Sequence, residues 1–222
     1  MKPYYDEDGI TIYHGDCYDL LPTIPPESVG LVITDPPYGI DYEGVRRDNG
    51  WTGAQPTGLG PVLGDGKTMD LSPVFRFGRL VVFGANYFPE QIHPGPSGWI
   101  VWDKRGDGRS AGRDMTISDC ELVWTWGLGF LRVIRFSHMW HGVARWANEP
   151  IVHPTQKPLS LMRWILDGWT EPGDLILDPF MGSGPVAQAC RELGRRYVGV
   201  EIEERYCEIA VQRLAQGVLE FG

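Results

Sequence analysis

The tetrapeptide Asp35-Pro36-Pro37-Tyr38 is the segment of this sequence with the clearest chemical potential. It follows the apolar run Val29–Thr34, which predicts a strand, and open α/β sheets bind ligands at the carboxyl ends of their strands. Consecutive prolines fix the backbone and remove N–H donors, so the turn presents carbonyl acceptors and a carboxylate beside an aromatic ring. Asp35 and a proline carbonyl can accept both hydrogens of a planar amino group while Tyr38 stacks on its ring. These four residues are the candidate catalytic residues.

A glycine-rich turn after the predicted strand Asp174–Leu177 is a second candidate site. It reads Asp178-Pro179-Phe180-Met181-Gly182-Ser183-Gly184-Pro185 and leads into a helical pattern. Glycine allows close backbone approach to a ligand, and proline suits a first helical position. The next predicted strand ends in Glu201, whose carboxylate can accept both hydroxyls of a ribose. The turn and this carboxylate predict a nucleotide-type pocket, without the lysine of a polyphosphate-binding loop.

A third segment, His153-Pro154-Thr155-Gln156-Lys157-Pro158, precedes a helical pattern that runs from Leu161 to Trp169. Lys157 lies near the start of that helix, where its ammonium group can meet the carboxylate end of an amino-acid ligand. His138 and His141 have a spacing that invites a metal interpretation. No third ligand lies at a useful spacing, so the sequence predicts no metal site.

Short apolar strands alternate with helical patterns along the chain, which predicts an α/β fold with a mostly parallel sheet. The candidate strands are Ile10–His14, Val29–Thr34, Arg79–Phe83, Trp99–Trp102, Glu121–Trp126, Asp174–Leu177 and Arg196–Val200. Apolar residues then repeat at helical spacing in the last third of the chain. We expect residues 1–222 to form a single domain.

Two segments interrupt this pattern. Residues 41–70 are rich in glycine and polar residues, and a loop of that length is typical of a lid or binding loop. We expect a mobile loop that closes over a substrate, and an inert insertion is the alternative. Residues 127–149 hold Arg132, Arg135 and Arg145 among aromatic residues, with no acidic residue before Glu149. This segment is the candidate nucleic-acid contact, and a strand pair with core tryptophans is the alternative.

The composition limits the class of protein. The 222 residues carry a net charge of −9, which argues against a nucleic-acid partner until the local distribution of charge is considered. The cysteines Cys17, Cys120, Cys190 and Cys207 form no C-x-x-C pair, which is typical of reduced thiols in a cytoplasm. No apolar run approaches the roughly 20 residues of a membrane span, and the start of the chain lacks a signal peptide. We expect a cytoplasmic protein with no membrane partner.

Together, the three segments resemble the beta class of amino-methylating DNA methyltransferases, in which D-P-P-Y precedes H-P-T-Q-K-P and D-P-F-x-G-S-G. The resemblance extends over Ile12–Tyr38 and His153–Leu214, whereas the middle of the chain is matched only loosely, through Val82–Asn86 and the strands around it. It implies a Rossmann-like, doubly wound, mostly parallel sheet of seven strands with the last strand antiparallel. It also implies S-adenosyl-L-methionine as the methyl donor and double-stranded DNA as the partner.

The resemblance also implies a role for each candidate residue. Asp35, Pro36 and Tyr38 would hold the target base. The cofactor would meet Asp16 at its adenine amino group and Glu201 at its ribose. Its methionine end would meet Asp178 and Lys157, and its pocket would be lined by Phe180, Gly182, Ser183 and Gly184. A target-recognition segment between the two matched regions would contact DNA. The candidate DNA-binding residues in that segment are Arg132, Arg135 and Arg145.

The chain departs from the family pattern in two respects. Pro185 stands where the family usually has threonine, so we expect an altered affinity for the cofactor. The recognition segment at about 127–149 is also much shorter than in larger relatives. We therefore expect a short recognition sequence, or help from a second subunit in a homodimer.

The expected mechanism is direct transfer of a methyl group to the amino nitrogen of a flipped base, with catalysis that depends mainly on positioning. Adenine N6 is the favoured target because the family more often has serine at the position of Asp35 when cytosine N4 is methylated. Methylation of a protein amide or an RNA base is an alternative, although it goes with asparagine as the first residue of the turn. A non-catalytic nucleic-acid-binding module is the third, for which a degraded turn or cofactor loop would be expected.

Overall fold

Alternating apolar residues build a sheet with a core on each face. The structure is a computed structural model that describes residues 1–41, 63–92, 95, 97–104, 120–129, 133–137, 140–141, 144–145, 152–153 and 156–217. In strand β3 (Leu31–Thr34), Leu31 and Ile33 pack in a core with the long helices, whereas Val32 packs in the core on the opposite face. This follows from the two-residue period of a strand, in which successive side chains point to opposite faces.

The remaining elements follow in chain order. The strands are β1 (Tyr5–Glu7), β2 (Ile10–His14), β4 (Leu80–Phe83), β5 (Ser97–Asp103), β6 (Cys120–Trp126), β7 (Val133–Ser137), β8 (Trp140–His141), β9 (Ala144–Arg145), β10 (Leu175–Asp178) and β11 (Arg196–Glu201). The α-helices are α1 (Cys17–Leu20), α2 (Leu159–Trp169), α3 (Pro185–Glu192) and α4 (Glu204–Gly217). Short 3₁₀ turns cover Leu21–Thr23, Pro26–Ser28, Ala85–Tyr87 and Pro89–Gln91.

The main sheet has the order β1-β2-β11-β10-β3-β4-β6-β5-β7. Strands β2, β11, β10, β3 and β4 are parallel, and β6 is antiparallel to both β4 and β5. The predicted doubly wound, mostly parallel fold is confirmed. The seven strands predicted from the sequence form the stretch from β2 to β5, and β1 and β7 extend the described sheet to nine strands. The antiparallel member of the seven is β6 and not, as we expected, the last of them in chain order, because β11 is parallel to both β10 and β2.

Each of the two interrupting segments falls partly outside the described residues. Of the predicted loop at 41–70, residues 42–62 are not described, and Asp65, which follows this gap, binds the chain that precedes it. Its carboxylate accepts from Gly39 N at 2.8 Å, and its carbonyl accepts from Asp41 N at 2.8 Å. Of the segment at 127–149, the described part includes β7, β8 and β9. Within the described part of the chain, no helix combines the length and apolarity needed to cross a bilayer.

Replacing Ile176 by alanine should destabilise the fold by about 2–5 kcal/mol, because a fully buried side chain would be lost from the central strand β10. Ile40→Ala is the matched control, since Ile40 is 48% exposed and should lose less than about 1 kcal/mol. Urea unfolding followed by circular dichroism measures both. Equal free energies of unfolding for the two variants would contradict this description of the core.

Candidate active site

Carboxyl groups converge where the strand order of the sheet reverses. Strands β3 and β10 are neighbours, but β3 leads on to β4 at one side and β10 leads to β11 at the other. Such a switch point opens a crevice at the carboxyl ends of the strands. Asp35 follows β3, Asp178 ends β10 and Glu201 ends β11, so the residues predicted from separate segments lie along one edge of the sheet.

The carboxylate of Asp35 is held on both oxygens. Tyr38 donates its hydroxyl hydrogen to Oδ1 at 2.6 Å, and Lys157 Nζ donates to Oδ2 at 2.5 Å. Burial raises the pKa of Asp35, and the Lys157 ammonium opposes that rise. Pro36 is buried and Pro37 half-buried, so the prolines anchor the turn. The structure thus places Lys157, which we expected at the methionine end of the cofactor, on the catalytic turn.

The ring of Tyr38 is enclosed by the segment after β4. Tyr87 stacks on it with ring centroids 4.8 Å apart and planes within 12°. Gly84 lies so close that an added Cβ would be 2.1 Å from Tyr38 Cε1, and its φ of 65° also favours glycine. Tyr87 and Gly84 were missed by sequence reasoning. The sequence did contain one indication of them. The loosely matched segment around Gly84 follows a predicted strand, as the turn at Asp35 does.

A second charged pair lies beside Lys157. Glu121 Oε2 is 3.5 Å from Lys157 Nζ, and Glu121 Oε1 accepts from Lys104 Nζ at 3.1 Å. The ammonium of Lys157 also lies 5.3 Å from the ring centroid of Phe83. Neither Glu121 nor Lys104 stood out in the sequence, because an acidic residue at a strand start and a lysine after a strand are common.

The glycine turn after β10 has the backbone that its sequence predicts. Gly182 and Gly184 have φ values of 54° and 75°, in the left-handed region that favours glycine, and Pro185 is the first residue of α3. An added Cβ at Gly184 would lie 2.8 Å from Ala210 Cβ on α4. Gly184 therefore permits both the turn and the close packing of its loop on α4.

Glu201 ties this turn to the strand ends. Its carboxylate accepts from Gly182 N at 2.9 Å and from Glu203 N at 2.7 Å, which leaves further lone pairs on both oxygens for ribose hydroxyls. Burial raises its pKa, and the two backbone N–H groups oppose the rise. Gly15 N donates to the carbonyl of Glu201 at 2.9 Å. This bond holds the start of α1 beside Glu201, and Asp16, the residue after Gly15, caps that helix. These residues fit a bound nucleoside.

Asp178 is buried beneath the glycine turn. Its carboxylate accepts from Tyr197 Oη at 3.2 Å and from Phe180 N at 3.3 Å, so Phe180 is positioned through its backbone. Burial is the largest influence and raises the pKa of Asp178 to about 8, against the two hydrogen bonds. At neutral pH this carboxyl group is therefore mostly protonated, and a cationic group placed beside it would favour its ionisation.

Ser183 joins the glycine turn to the segment before α2. Its hydroxyl donates to Gln156 Oε1 at 3.3 Å and accepts from Arg213 Nη1 at 3.2 Å. His153 of the same segment packs on the ring of Tyr206 with centroids 4.3 Å apart, near Gly182. Burial and neighbouring cations lower the pKa of His153 to about 3, so its ring is neutral. The two segments predicted separately from the sequence are therefore in contact in the fold.

Two of the three arginines predicted to contact DNA belong to described strands. Arg132 lies outside the described residues. Arg135 belongs to β7, at the edge of the main sheet, and Arg145 belongs to β9 of the separate two-stranded sheet.

Comparisons with known proteins agree with this geometry. A family model described as DNA methylase, of the N6/N4 type, matches residues 97–212. Type II methyltransferase M2.DpnII of Streptococcus pneumoniae is 25% identical over 96% of this chain and 92% of its own length. Type II methyltransferase M.ScaI of Streptomyces caespitosus is 28% identical over 96% of this chain and 84% of its own.

Two solved structures have the same fold. The complex of M1.HpyAVI with SAM aligns with a TM-score of 0.58 at 25% identity, over 92% of this chain and 98% of that one. A PvuII DNA methyltransferase described as cytosine-N4-specific aligns with a TM-score of 0.62 over 96% of this chain and 88% of that one. At 17% identity, the second likeness concerns the fold alone.

The contact between Gly84 and Tyr38 predicts that Gly84→Ala lowers turnover at least about tenfold, because the new Cβ would push the Tyr38 ring out of place. The affinity for S-adenosylmethionine should stay unchanged, since the cofactor loop lies on other strands. Gly78→Ala is the control, because an added Cβ there meets no atom within 4 Å. Calorimetric titration and a methyl-transfer assay separate the two effects, and wild-type turnover in Gly84→Ala would refute the contact.

Proposed function

The chain belongs to the DNA methyltransferases that modify adenine N6 or cytosine N4, and from this premise we propose that its target is the N6 amino group of an adenine flipped out of double-stranded DNA. S-adenosyl-L-methionine is the methyl donor of this family. The observation that carries the proposal is the half-buried Asp35 carboxylate at the switch point of the sheet, held by Lys157 and Tyr38. Cytosine N4 is the alternative target.

Asp35 supports direct transfer to an amino nitrogen. A carboxylate offers about four lone-pair sites, so Asp35 can accept an N–H of the base while it keeps its bond to Lys157. The carbonyl of Pro36 can accept the second N–H, which turns the nitrogen lone pair away from the turn. As the nitrogen gains positive charge, the carboxylate stabilises it and can take the proton that the product must lose. The raised pKa of Asp35 suits that proton transfer.

The cofactor supplies a methyl group on a sulfonium and leaves as S-adenosylhomocysteine. We assign its ribose to Glu201, its adenine amino group to Asp16 and its ammonium group to Asp178, while Phe180, Gly182, Ser183 and Gly184 line the pocket. The free lone pairs on Glu201 support the ribose assignment. The buried carboxyl group of Asp178 supports the ammonium assignment, because a cation beside it would stabilise its ionised form. The ammonium group of Lys157 binds Asp35, so we assign Lys157 to the catalytic turn as well as to the methionine end of the cofactor.

The preference for adenine rests on Asp35, since serine at this position goes more often with cytosine in the family that the sequence resembles. The similarity to a cytosine-N4-specific enzyme concerns the fold and leaves this preference as it stands.

We propose that the segment at 127–149 contacts DNA through Arg132, Arg135 and Arg145. The topology supports this for the later part of the segment. Strand β7 runs parallel to β5, with Ser137 opposite Asp103, so it ends at the same edge of the sheet as the catalytic turn. The few residues from there to β8 cannot carry the chain far from that edge.

We also propose that residues 1–222 act as one methyltransferase domain in the cytoplasm, with the segment at 41–70 as a substrate-closing loop. All four cysteines are free thiols, which suits a reducing compartment. The short recognition segment favours a homodimer in which a second subunit adds DNA contacts.

Asp35→Asn should lower methyl transfer about 100-fold or more, because the amide replaces a charged acceptor with a neutral one that can also donate. Digestion of DNA methylated by the wild-type protein should release N6-methyladenine, and N4-methylcytosine instead would support the alternative target. Exposed Asp19→Asn is the control. Full turnover in Asp35→Asn, with either product, would remove Asp35 from the mechanism.

The buried carboxyl group of Asp178 predicts a proton linked to cofactor binding. At pH 7, below its pKa of about 8, Asp178 is mostly protonated, so an ammonium group bound against it should lower that pKa and release a proton. Calorimetry in buffers of different ionisation enthalpy counts released protons. Asp178→Asn should bind S-adenosylmethionine more weakly and release none at this site. An unchanged proton count in the variant would place the ammonium elsewhere.

A further inference from the structure

Charged side chains of alternating sign run from the edge of the sheet to the catalytic turn. Lys104 Nζ donates to Glu121 Oε1 at 3.1 Å, and Glu121 Oε2 lies 3.5 Å from Lys157 Nζ. Lys157 Nζ in turn donates to Asp35 Oδ2 at 2.5 Å. These side chains are only 6% to 22% exposed, so their interactions are weakly screened by water. We call these four residues the charge chain.

The topology of the sheet brings Glu121 to the active site. Because β6 is antiparallel to β4 and β5, its first residues lie beside the carboxyl ends of those strands. Glu121 is opposite Trp102 in the ladder, and Leu122 O accepts from Gly84 N at 3.0 Å. Glu121 is therefore held by a strand, which positions a side chain more rigidly than a loop does.

Both inner members of the charge chain are ionised at neutral pH. Burial alone would raise the pKa of Glu121, but Lys157 and Lys104 outweigh it and the pKa is lowered. Burial alone would lower the pKa of Lys157, but Asp35 and Glu121 outweigh it and the pKa is raised. The ammonium of Lys157 is consequently shared between two carboxylates.

We propose that Glu121 is a positioning residue that shares the Lys157 ammonium with Asp35 and so sets the strength of Asp35 as acceptor and base. The inference rests on the proposed function of Asp35. When Glu121 is present, Lys157 still holds Asp35 through Oδ2, but the positive charge of Lys157 is shared between Asp35 and Glu121. Asp35 then keeps enough basicity to accept the amino hydrogens at Oδ1, where Tyr38 donates in the absence of DNA.

Glu121→Gln keeps the size of the side chain and removes its charge, so Lys157 should pair with Asp35 alone. Among the described residues, Asp35 is faced by Lys157, by Tyr38 of its own turn and by Glu121 of β6, with Asp178 at the end of neighbouring β10. The negative charge of Glu121 raises the pKa of Asp35, so its loss should lower that pKa. We expect kcat to fall between about tenfold and a hundredfold, and the acidic limb of the kcat profile to move to lower pH.

Lys104→Gln provides a second variant with the opposite sign. Without Lys104, Glu121 should draw more of the Lys157 charge, which leaves Asp35 less stabilised as an anion. The acidic limb should then move to higher pH. Glu90→Gln is the control, because Glu90 is exposed and lies on the 3₁₀ turn Pro89–Gln91, away from these contacts.

The measurements are the pH dependence of kcat with tritiated S-adenosylmethionine and plasmid DNA, the affinity for S-adenosylmethionine, and the thermal midpoint. Opposite shifts of the acidic limb with unchanged cofactor affinity support the proposal. An unmoved limb in both variants, or a loss of kcat that only tracks a lowered thermal midpoint, overturns it. If Asp35→Asn is inactive while Glu121→Gln behaves as wild type, this inference fails alone. If Asp35→Asn retains turnover, the proposed role of Asp35 fails first.

Discussion

The ion pair between Lys157 and Asp35 is the interaction on which the active site depends. It joins residues 122 positions apart, and the two side chains lie largely out of water. Removing one member of such a buried pair generally costs about 3–5 kcal/mol, because the other charge loses its partner. The same pair sets the rotamer of Asp35, brings the segment before α2 against the catalytic turn and, through Gln156 and Ser183, aligns the cofactor loop. The proposed catalytic carboxylate and the stability of the fold therefore depend on one contact.

The sequence predicted those features of the fold and the site whose residues are consecutive in the chain. The turn at Asp35 and the loop at Gly182 each lie in a few consecutive residues after an apolar strand, so pattern and position predicted them. The fold followed from alternating strands and helices. Glu121 could not be found in this way, because it reaches the site only through the antiparallel direction of β6. Tyr87 was missed for the related reason that a single exposed tyrosine carries no periodic signal.

The stacked pair of Tyr38 and Tyr87 limits how a base can enter. Rings with centroids 4.8 Å apart are already in contact, and a third aromatic ring does not fit between them. A base that stacks on this face of Tyr38 must therefore displace Tyr87, which is 42% exposed and sits on a single 3₁₀ turn. Stacking would be exchanged, with one aromatic contact replacing another, and this reduces the net gain from flipping the base.

The register of β2 with β11 constrains how the protein is made. Ile10 pairs with Tyr197, so a strand at the amino end of the chain finds its parallel neighbour only near the carboxyl end. On the ribosome, the amino-terminal part emerges first, and the catalytic turn appears long before the cofactor loop and its glutamate. An unfinished chain thus carries the reactive turn without a place for the methyl donor. Contacts between such distant residues also slow folding, and β2 cannot pair with β11 until the ribosome has made residues 196–201.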